Sequence, residues 1–111
     1  MKYIFDIDGT ICSQRNGDYE NAIPYTLRIK MVNELFEQGH EIVYWTARGM
    51  NYFKGDVQKC YDMWYKFTEK QLNLWNCKYH QLLLGKPTYD KWVDDKCVNS
   101  DSYFGKVHIE E

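Results

Sequence analysis

The strongest constraint on the fold is an alternation of short, apolar, β-prone runs with longer helical repeats, each run stopping at a polar loop. Lys2-Tyr3-Ile4-Phe5 halts at Asp6-Ile7-Asp8-Gly9-Thr10, as a buried strand ending in a loop does. Pro24 suits the first turn of a helix, Leu27, Met31, Leu35 and Phe36 follow at helical spacing, and Gly39 is placed to end it, so a helix is expected over 24–38. Glu41-Ile42-Val43-Tyr44-Trp45 reads as a second strand ending at Thr46. From Asp56 onward, Val57, Cys60, Tyr61, Trp64, Phe67, Thr68, Leu72 and Trp75 mark an amphipathic helix of about twenty residues. Gln81-Leu82-Leu83-Leu84 gives a third strand and Asp90-Lys91-Trp92-Val93 a fourth, stopping at Asp94-Asp95, with a last short strand near 106–109. Such alternation calls for a parallel sheet with right-handed crossovers, whose ligands bind beyond the carboxyl ends of the strands.

Size and charge narrow the function. The 111 residues suit one domain spanning 1–111, with no interdomain linker or internal repeat. Fourteen Lys and Arg against sixteen Asp and Glu leave a net charge of −2, which offers no positive field to gather nucleic acid or anionic lipid. No apolar run approaches a membrane span, and the amino terminus meets a carboxylate at Asp6, too early for a secretory leader. A cytoplasmic protein is expected. Cys12, Cys60, Cys77 and Cys97 form no C-x-x-C pair, so they read as reduced thiols.

Two familiar loops are excluded on spacing. A calcium loop starting at Asp6 would need glycine where Ile11 stands and glutamate where Gly17 stands. No G-x-x-x-x-G-K-[ST] segment exists to cradle a nucleotide. His40, His80 and His108 are isolated and read as structural or solvated. Asn16-Gly17 favours a tight turn, so an exposed flap is expected over 11–20.

Four strand ends or adjacent loops carry polar groups suited to one reaction: Asp6 and Asp8, then Thr46, then Lys86, then Asp94 and Asp95. A carboxylate attacking phosphorus forms an aspartyl-phosphate and splits one displacement into two easier ones, and Asp6 is the candidate nucleophile. The leaving alcohol needs a proton and the second-step water must lose one, which suits Asp8 as acid and then base. Thr46 can donate to a phosphoryl oxygen, and Lys86 can neutralise charge there and restrain Asp6. Gly9 lets the backbone turn tightly beside a phosphate, and Thr10 either supports the phosphate or the acid or is a simple turn hydroxyl.

In order and spacing these segments resemble the motifs of the haloacid dehalogenase superfamily of phosphohydrolases, over nearly the whole chain from Tyr3 to Asp95. Trp45-Thr46-Ala47-Arg48-Gly49, Gly85-Lys86-Pro87-Thr88-Tyr89-Asp90 and Val93-Asp94-Asp95-Lys96 look especially like its small capsular-polysaccharide biosynthesis phosphatases. The resemblance implies a three-layer, Rossmann-like α/β fold, a mostly parallel sheet with helices on both faces. It also implies a Mg²⁺ ion held by the Asp6 side chain, the Asp8 backbone carbonyl and an acid of the last motif, Asp94 first and Asp95 as alternate. Neither the interval from Thr10 to Thr46 nor that from Thr46 to Lys86 has room for the cap domain that relatives often carry.

The expected activity is therefore that of a capless, Mg²⁺-dependent phosphomonoester hydrolase acting on a sugar phosphate or similar small phosphorylated metabolite. A polynucleotide end phosphatase and a catalytically silent binding module of the same fold are the alternatives. With no cap, the flap, the Arg48 to Lys54 loop or a neighbouring subunit must exclude water. Arg48 is placed for a bidentate contact with substrate phosphate or carboxylate, and Arg15 is a weaker candidate. Tyr52 and Phe53 either stack on a sugar or close their loop. The aromatic stripe of the long helix reads as core, and the remaining Tyr and Trp surplus suggests a homo-oligomer.

Overall fold

The computed structural model describes residues 1–14 and 16–105. Three of the four central apolar runs form strands: β1 (Lys2–Phe5), β2 (Glu41–Thr46) and β3 (Gln81–Leu84). They make one parallel sheet in the order β1-β2-β3, with Phe5 beside Tyr44, Tyr44 beside Leu82 and Thr46 beside Leu84. Helix α1 (Thr26–Glu37) crosses from β1 to β2, and α2 (Val57–Leu74) from β2 to β3. The protein is thus an α/β fold built on crossover units, as the alternation requires.

Side chains alternate across a strand, so the register places Phe5, Ile42, Tyr44, Leu82 and Leu84 on one face. These join Ile29 and Val32 of α1 and Cys60 and Leu72 of α2 in the buried core. The opposite face carries Ile4, which is 58% exposed, and Trp45, whose ring meets Trp92 edge-on. The described helices therefore pack on one face, where the sequence led us to expect helices on both.

Helix α1 starts two residues later than expected. Pro24 lies outside it and bridges Cys12 instead, while the Tyr25 amide donates to the Ile11 carbonyl. Arg28, Ile29 and Val32 are its buried residues, and of the expected stripe Met31, Leu35 and Phe36 pack against the core while Leu27 is exposed. The helix ends where Gly39 N–H donates to Phe36 and His40 N–H to Leu35. Helix α2 begins as expected: the Asp56 side chain accepts from the Lys59 amide. Tyr61, Trp64 and Trp75 pack against the core, as the aromatic stripe predicts, and Tyr65 joins them.

The expected fourth strand does not form. Residues 90–95 are irregular, and Val93 is 94% exposed. The reason is length: a parallel strand needs a crossover of about a dozen residues, and only Gly85, Lys86, Pro87, Thr88 and Tyr89 separate Leu84 from Asp90. A helix absent from the sequence reading, α3 (Ser100–Phe104), follows instead. The Asn99 side chain caps it by accepting from the Asp101 and Ser102 amides, and Phe104 enters the core against Phe5. The short strand expected near 106–109 and His108 lie outside the described residues, as does Arg15. No helix among the described residues is long and apolar enough to cross a membrane.

Candidate active site

The carboxyl end of β1 builds the site by simple alternation. Ile7 is fully buried, so its neighbours Asp6 and Asp8 turn the other way and both line a cleft of about 700 Å³. A turn in which Thr10 and Ile11 amides donate to the Ile7 carbonyl, and Gly9 N–H donates to Cys12, holds this segment in place. Gly9 and Thr10 themselves stay off the cleft wall, and the Thr10 carbonyl accepts from Arg28. Of the roles the sequence leaves open for them, a place in the turn that supports Asp8 accords with both, since the Gly9 amide donates to Cys12 and the Thr10 amide to Ile7.

Thr46 ends β2 beside Asp6 and Asp8, and it is nearly fully buried. Its hydroxyl oxygen accepts from the Arg48 amide at 3.2 Å, which leaves its proton free to be donated. Lys86, one residue past the end of β3 and its Gly85, donates its amide to the Thr46 carbonyl. Its Nζ lies 3.6 Å from Asp6 Oδ2. Burial raises the Asp6 carboxyl above the usual carboxylate range, and the nearby Lys86 charge offsets this only in part. Three of the four expected segments thus converge.

Arg48 departs most from expectation. Its side chain is turned inward and wholly buried. Nε and Nη2 donate to the two oxygens of Asp8 at 2.9 and 3.0 Å, a bidentate pair, while Nη1 donates to Gln71 Oε1 at 2.7 Å and Thr68 Oγ1 at 3.3 Å. The ring of Tyr19 lies over the guanidinium at 4.8 Å. The expected contact between Arg48 and substrate is corrected accordingly, since the guanidinium is committed to Asp8 and α2.

Tyr19, Thr68 and Gln71 were missed in the sequence. Tyr19 sits in a single 3-10 turn (Tyr19–Asn21) that follows the Asn16-Gly17 turn, and its hydroxyl accepts from the Gly49 amide at 3.0 Å. Gln71 Nε2 donates to the Tyr19 carbonyl at 2.8 Å. A polar Thr68 and Gln71 within an apolar helical stripe were the available signal, because buried polar groups need partners. Tyr52, Phe53, Met63 and Trp64 complete an aromatic and apolar wall, with Tyr52 82% exposed and set edge-on against Phe53.

Asp94 and Asp95 are exposed, and no group of three or more acidic, His or Cys side chains among the described residues is arranged to hold a metal ion. The expected placement of Asp94 and Asp95 beside Asp6 is corrected: the irregular 90–95 segment forms no strand to deliver them to the carboxyl end of the sheet, and neither lines the cleft. The residues present at the cleft do not make the expected Mg²⁺ donor set, as the acid of the last motif does not stand among them. The amide of Asp95 donates to Asp94, and side-chain and backbone hydrogen bonds hold the Asp94 carboxyl below its usual range.

The fold and the cleft define a small α/β protein with paired carboxylates at the carboxyl end of a parallel sheet. Comparison with protein-family models and with curated proteins gives no match. Among solved structures, the chain is similar to a Vibrio cholerae protein determined as a structural-genomics target, with 30% identity and a TM-score of 0.82 over 92% of this chain and 85% of the other. At that identity and coverage, the chain belongs to the same family as the Vibrio cholerae protein.

Proposed function

We propose that this protein is a capless phosphomonoester hydrolase of the haloacid dehalogenase type, working through an aspartyl-phosphate on Asp6. The observation that carries the reading is the convergence of Asp6, Asp8 and Thr46 on one cleft with Lys86 paired to Asp6 at 3.6 Å. Four groups separated in sequence meet where phosphoryl transfer needs a nucleophile, an acid and two phosphate partners.

In the first step an Asp6 oxygen attacks phosphorus, the bond to the leaving oxygen breaks, and the Asp8 carboxyl gives that oxygen its proton. In the second, the Asp8 carboxylate takes a proton from water, the resulting hydroxide attacks phosphorus, and the bond to Asp6 breaks to release inorganic phosphate. Thr46 and Lys86 stabilise the charge on the phosphoryl oxygens. The expected Mg²⁺ would add charge neutralisation of the same kind. The described residues do not assemble its site, so no step is routed through it.

Two features support a small, singly phosphorylated substrate such as a sugar phosphate over a polynucleotide end. Arg48 and Lys86 are each paired with a carboxylate, leaving neither as a spare cation for a second phosphate. The aromatic wall of Tyr19, Tyr52 and Trp64 suits the flat, apolar side of a sugar ring. A role in the cytoplasm fits four free cysteines. The Rossmann-like architecture and self-association through exposed Tyr and Trp, Tyr52 and Trp92 among them, belong to the same proposal. Sedimentation at rising concentration tests that association.

The activity is tested by a panel of sugar phosphates with and without Mg²⁺. Asp8→Asn is expected to lose about 10² to 10⁴ in rate, roughly 3 to 5 kcal/mol, and Asp6→Asn at least as much. A wild type that cleaves no phosphoester, or an Asp6→Asn variant with full activity, sinks the mechanism.

A further inference from the structure

Arg48 stands at the centre of a network reaching from the candidate acid to the loop over the cleft. One edge of the guanidinium holds both oxygens of Asp8, at 2.9 and 3.0 Å, and Nη1 is fixed to Thr68 and Gln71 of α2. Its face lies against Tyr19. Tyr19 in turn is held from three further directions: its carbonyl accepts from Gln71, its hydroxyl accepts from the Gly49 amide, and its ring meets Trp64 edge-on at 4.7 Å. Tyr19 and Trp64 line the same cleft as Asp6 and Asp8.

We propose that Arg48 is a positioning residue that couples the seating of Tyr19 over the cleft to the orientation of Asp8. This rests on the reading of Asp8 as the acid that protonates the leaving group. A lone carboxyl on a turn has its own rotamer freedom, and a misplacement of about 1 Å costs a transfer step about 100-fold. The bidentate fork removes that freedom, and the planar geometry fixes which way the carboxyl faces. Because Gln71 bonds to both Arg48 and Tyr19, a displaced Tyr19 disturbs both the packing face and one hydrogen-bond partner of the guanidinium. A leaving group that contacts Tyr19 is thereby sensed at Asp8.

The test separates help given to the leaving group from every other role. p-Nitrophenyl phosphate releases a stable phenolate that needs no proton, whereas glycerol phosphate releases an alkoxide that does. Arg48→Lys is expected to lower the single-turnover rate of leaving-group release, which precedes the action of Asp8 as base, about 100-fold on glycerol phosphate and less than about threefold on p-nitrophenyl phosphate. Tyr19→Leu, a change in the loop and outside the core, is expected to show the same selectivity at about tenfold, with Tyr19→Phe restoring most of it. Adding Arg48→Lys to Asp8→Asn is expected to cost nothing more, because a group that acts only through Asp8 has nothing left to position.

Equal losses in the single-turnover rate of leaving-group release from both esters, or additive losses in the double variant, overturn the coupling while leaving the phosphatase reading intact. A wild type that cleaves neither ester removes both. If Arg48→Lys does not fold, as thermal unfolding reveals, the two Tyr19 variants decide the matter alone: a Tyr19→Leu protein that releases glycerol from glycerol phosphate in a single turnover at the wild-type rate overturns the proposal.

Discussion

Arg28 on α1 donates from Nη2 to Asp101 on α3 at 3.0 Å, across a separation of 73 residues, with its side chain wholly buried. Its Nη1 reaches the Thr10 carbonyl at 3.0 Å, its Nη2 also reaches Gly105 at 3.3 Å, and its plane lies 5.0 Å from the Phe104 ring. One guanidinium therefore ties the turn behind Asp6 and Asp8 to the carboxyl-terminal helix. Ser100 adds a second tie by donating its hydroxyl to the Gly9 carbonyl at 3.4 Å.

Replacing Arg28 by Leu is expected to destabilise the protein by about 2 to 4 kcal/mol, because it strands the Thr10 and Gly105 carbonyls together with the Asp101 carboxylate. Asp101→Asn is expected to cost under about 1 kcal/mol, since the amide oxygen still accepts and the 38% exposed side chain is partly solvated. Urea denaturation of the two variants measures both. Equal losses would mean that the ion pair, not the buried carbonyls, carries the tie.

That contact also shows what sequence reading reaches. β1, β2, α2 and β3 were legible because each follows from a local pattern: an apolar run with a polar stop, or a 3.6-residue repeat opened by Asp56. Asp6, Asp8, Thr46 and Lys86 were legible for a related reason, since each stands at or just beyond a strand end. The failures are non-local. Pro24 was drawn to Cys12 by tertiary pairing, and the 90–93 run, a sound strand by composition, follows β3 too closely for the crossover that would pair it parallel in the sheet. The direction of Arg48 depended on Gln71 and Tyr19, which no spacing rule links to it.

Glycines at the site differ in what an added methyl meets. At Gly85 the φ is +86°, and a Cβ would stand 2.8 Å from Val57 Cγ1 and 3.2 Å from Cγ2. At Gly9 the φ is +80°, yet the nearest atom would be Gln14 Cβ at 3.8 Å. Gly9→Ala is therefore expected to cost only the left-handed backbone penalty, about 1 to 2 kcal/mol. Gly85→Ala adds steric displacement of α2 for a total of about 2 to 4 kcal/mol. It is also expected to move the adjacent Lys86 away from Asp6 and lower activity more than Gly9→Ala does. Thermal unfolding with parallel rate measurements checks the order, and a Gly9 variant that is the worse of the two would refute it.

Burial of Asp6 sets a pH dependence. Its folded-state pKa lies above the ordinary value of 3.8, so the folded protein holds this proton when the unfolded chain has released it. The folded state gains from that proton below the unfolded value and loses the gain as pH rises through the folded value. Two outcomes follow. The acid limb of kcat/KM is expected to lie above the ordinary carboxylate range, because attack requires the ionised form. Asp6→Asn, which keeps a neutral group there, is expected to be inactive yet no less stable than wild type at neutral pH, and to lack this component of the pH dependence. Denaturant titrations from pH 4 to pH 8 test this, and an Asn variant clearly weaker at pH 7 would contradict it.

The thiols give a test of the packing behind the acid. Cys12, Cys60 and Cys77 are buried and free, and Cys97 is exposed. Burial pushes the Cys77 thiol up to about 12 and raises those of Cys12 and Cys60 as well, so little thiolate forms at any of the three near neutrality. Cys12 Sγ lies 3.5 Å from Asp8 Oδ1 and 3.6 Å from the Ile7 carbonyl, leaving no space there for an adduct. Iodoacetamide at pH 8 is therefore expected to add one carbamidomethyl group to the native protein, at Cys97, and four after unfolding. Because Cys97 lies outside the cleft lining, the singly labelled protein is expected to keep its rate in the proposed phosphatase reaction. Intact-mass measurement counts the adducts, and a second native adduct at Cys12 accompanied by lost activity would show that the turn carrying Asp8 opens in solution.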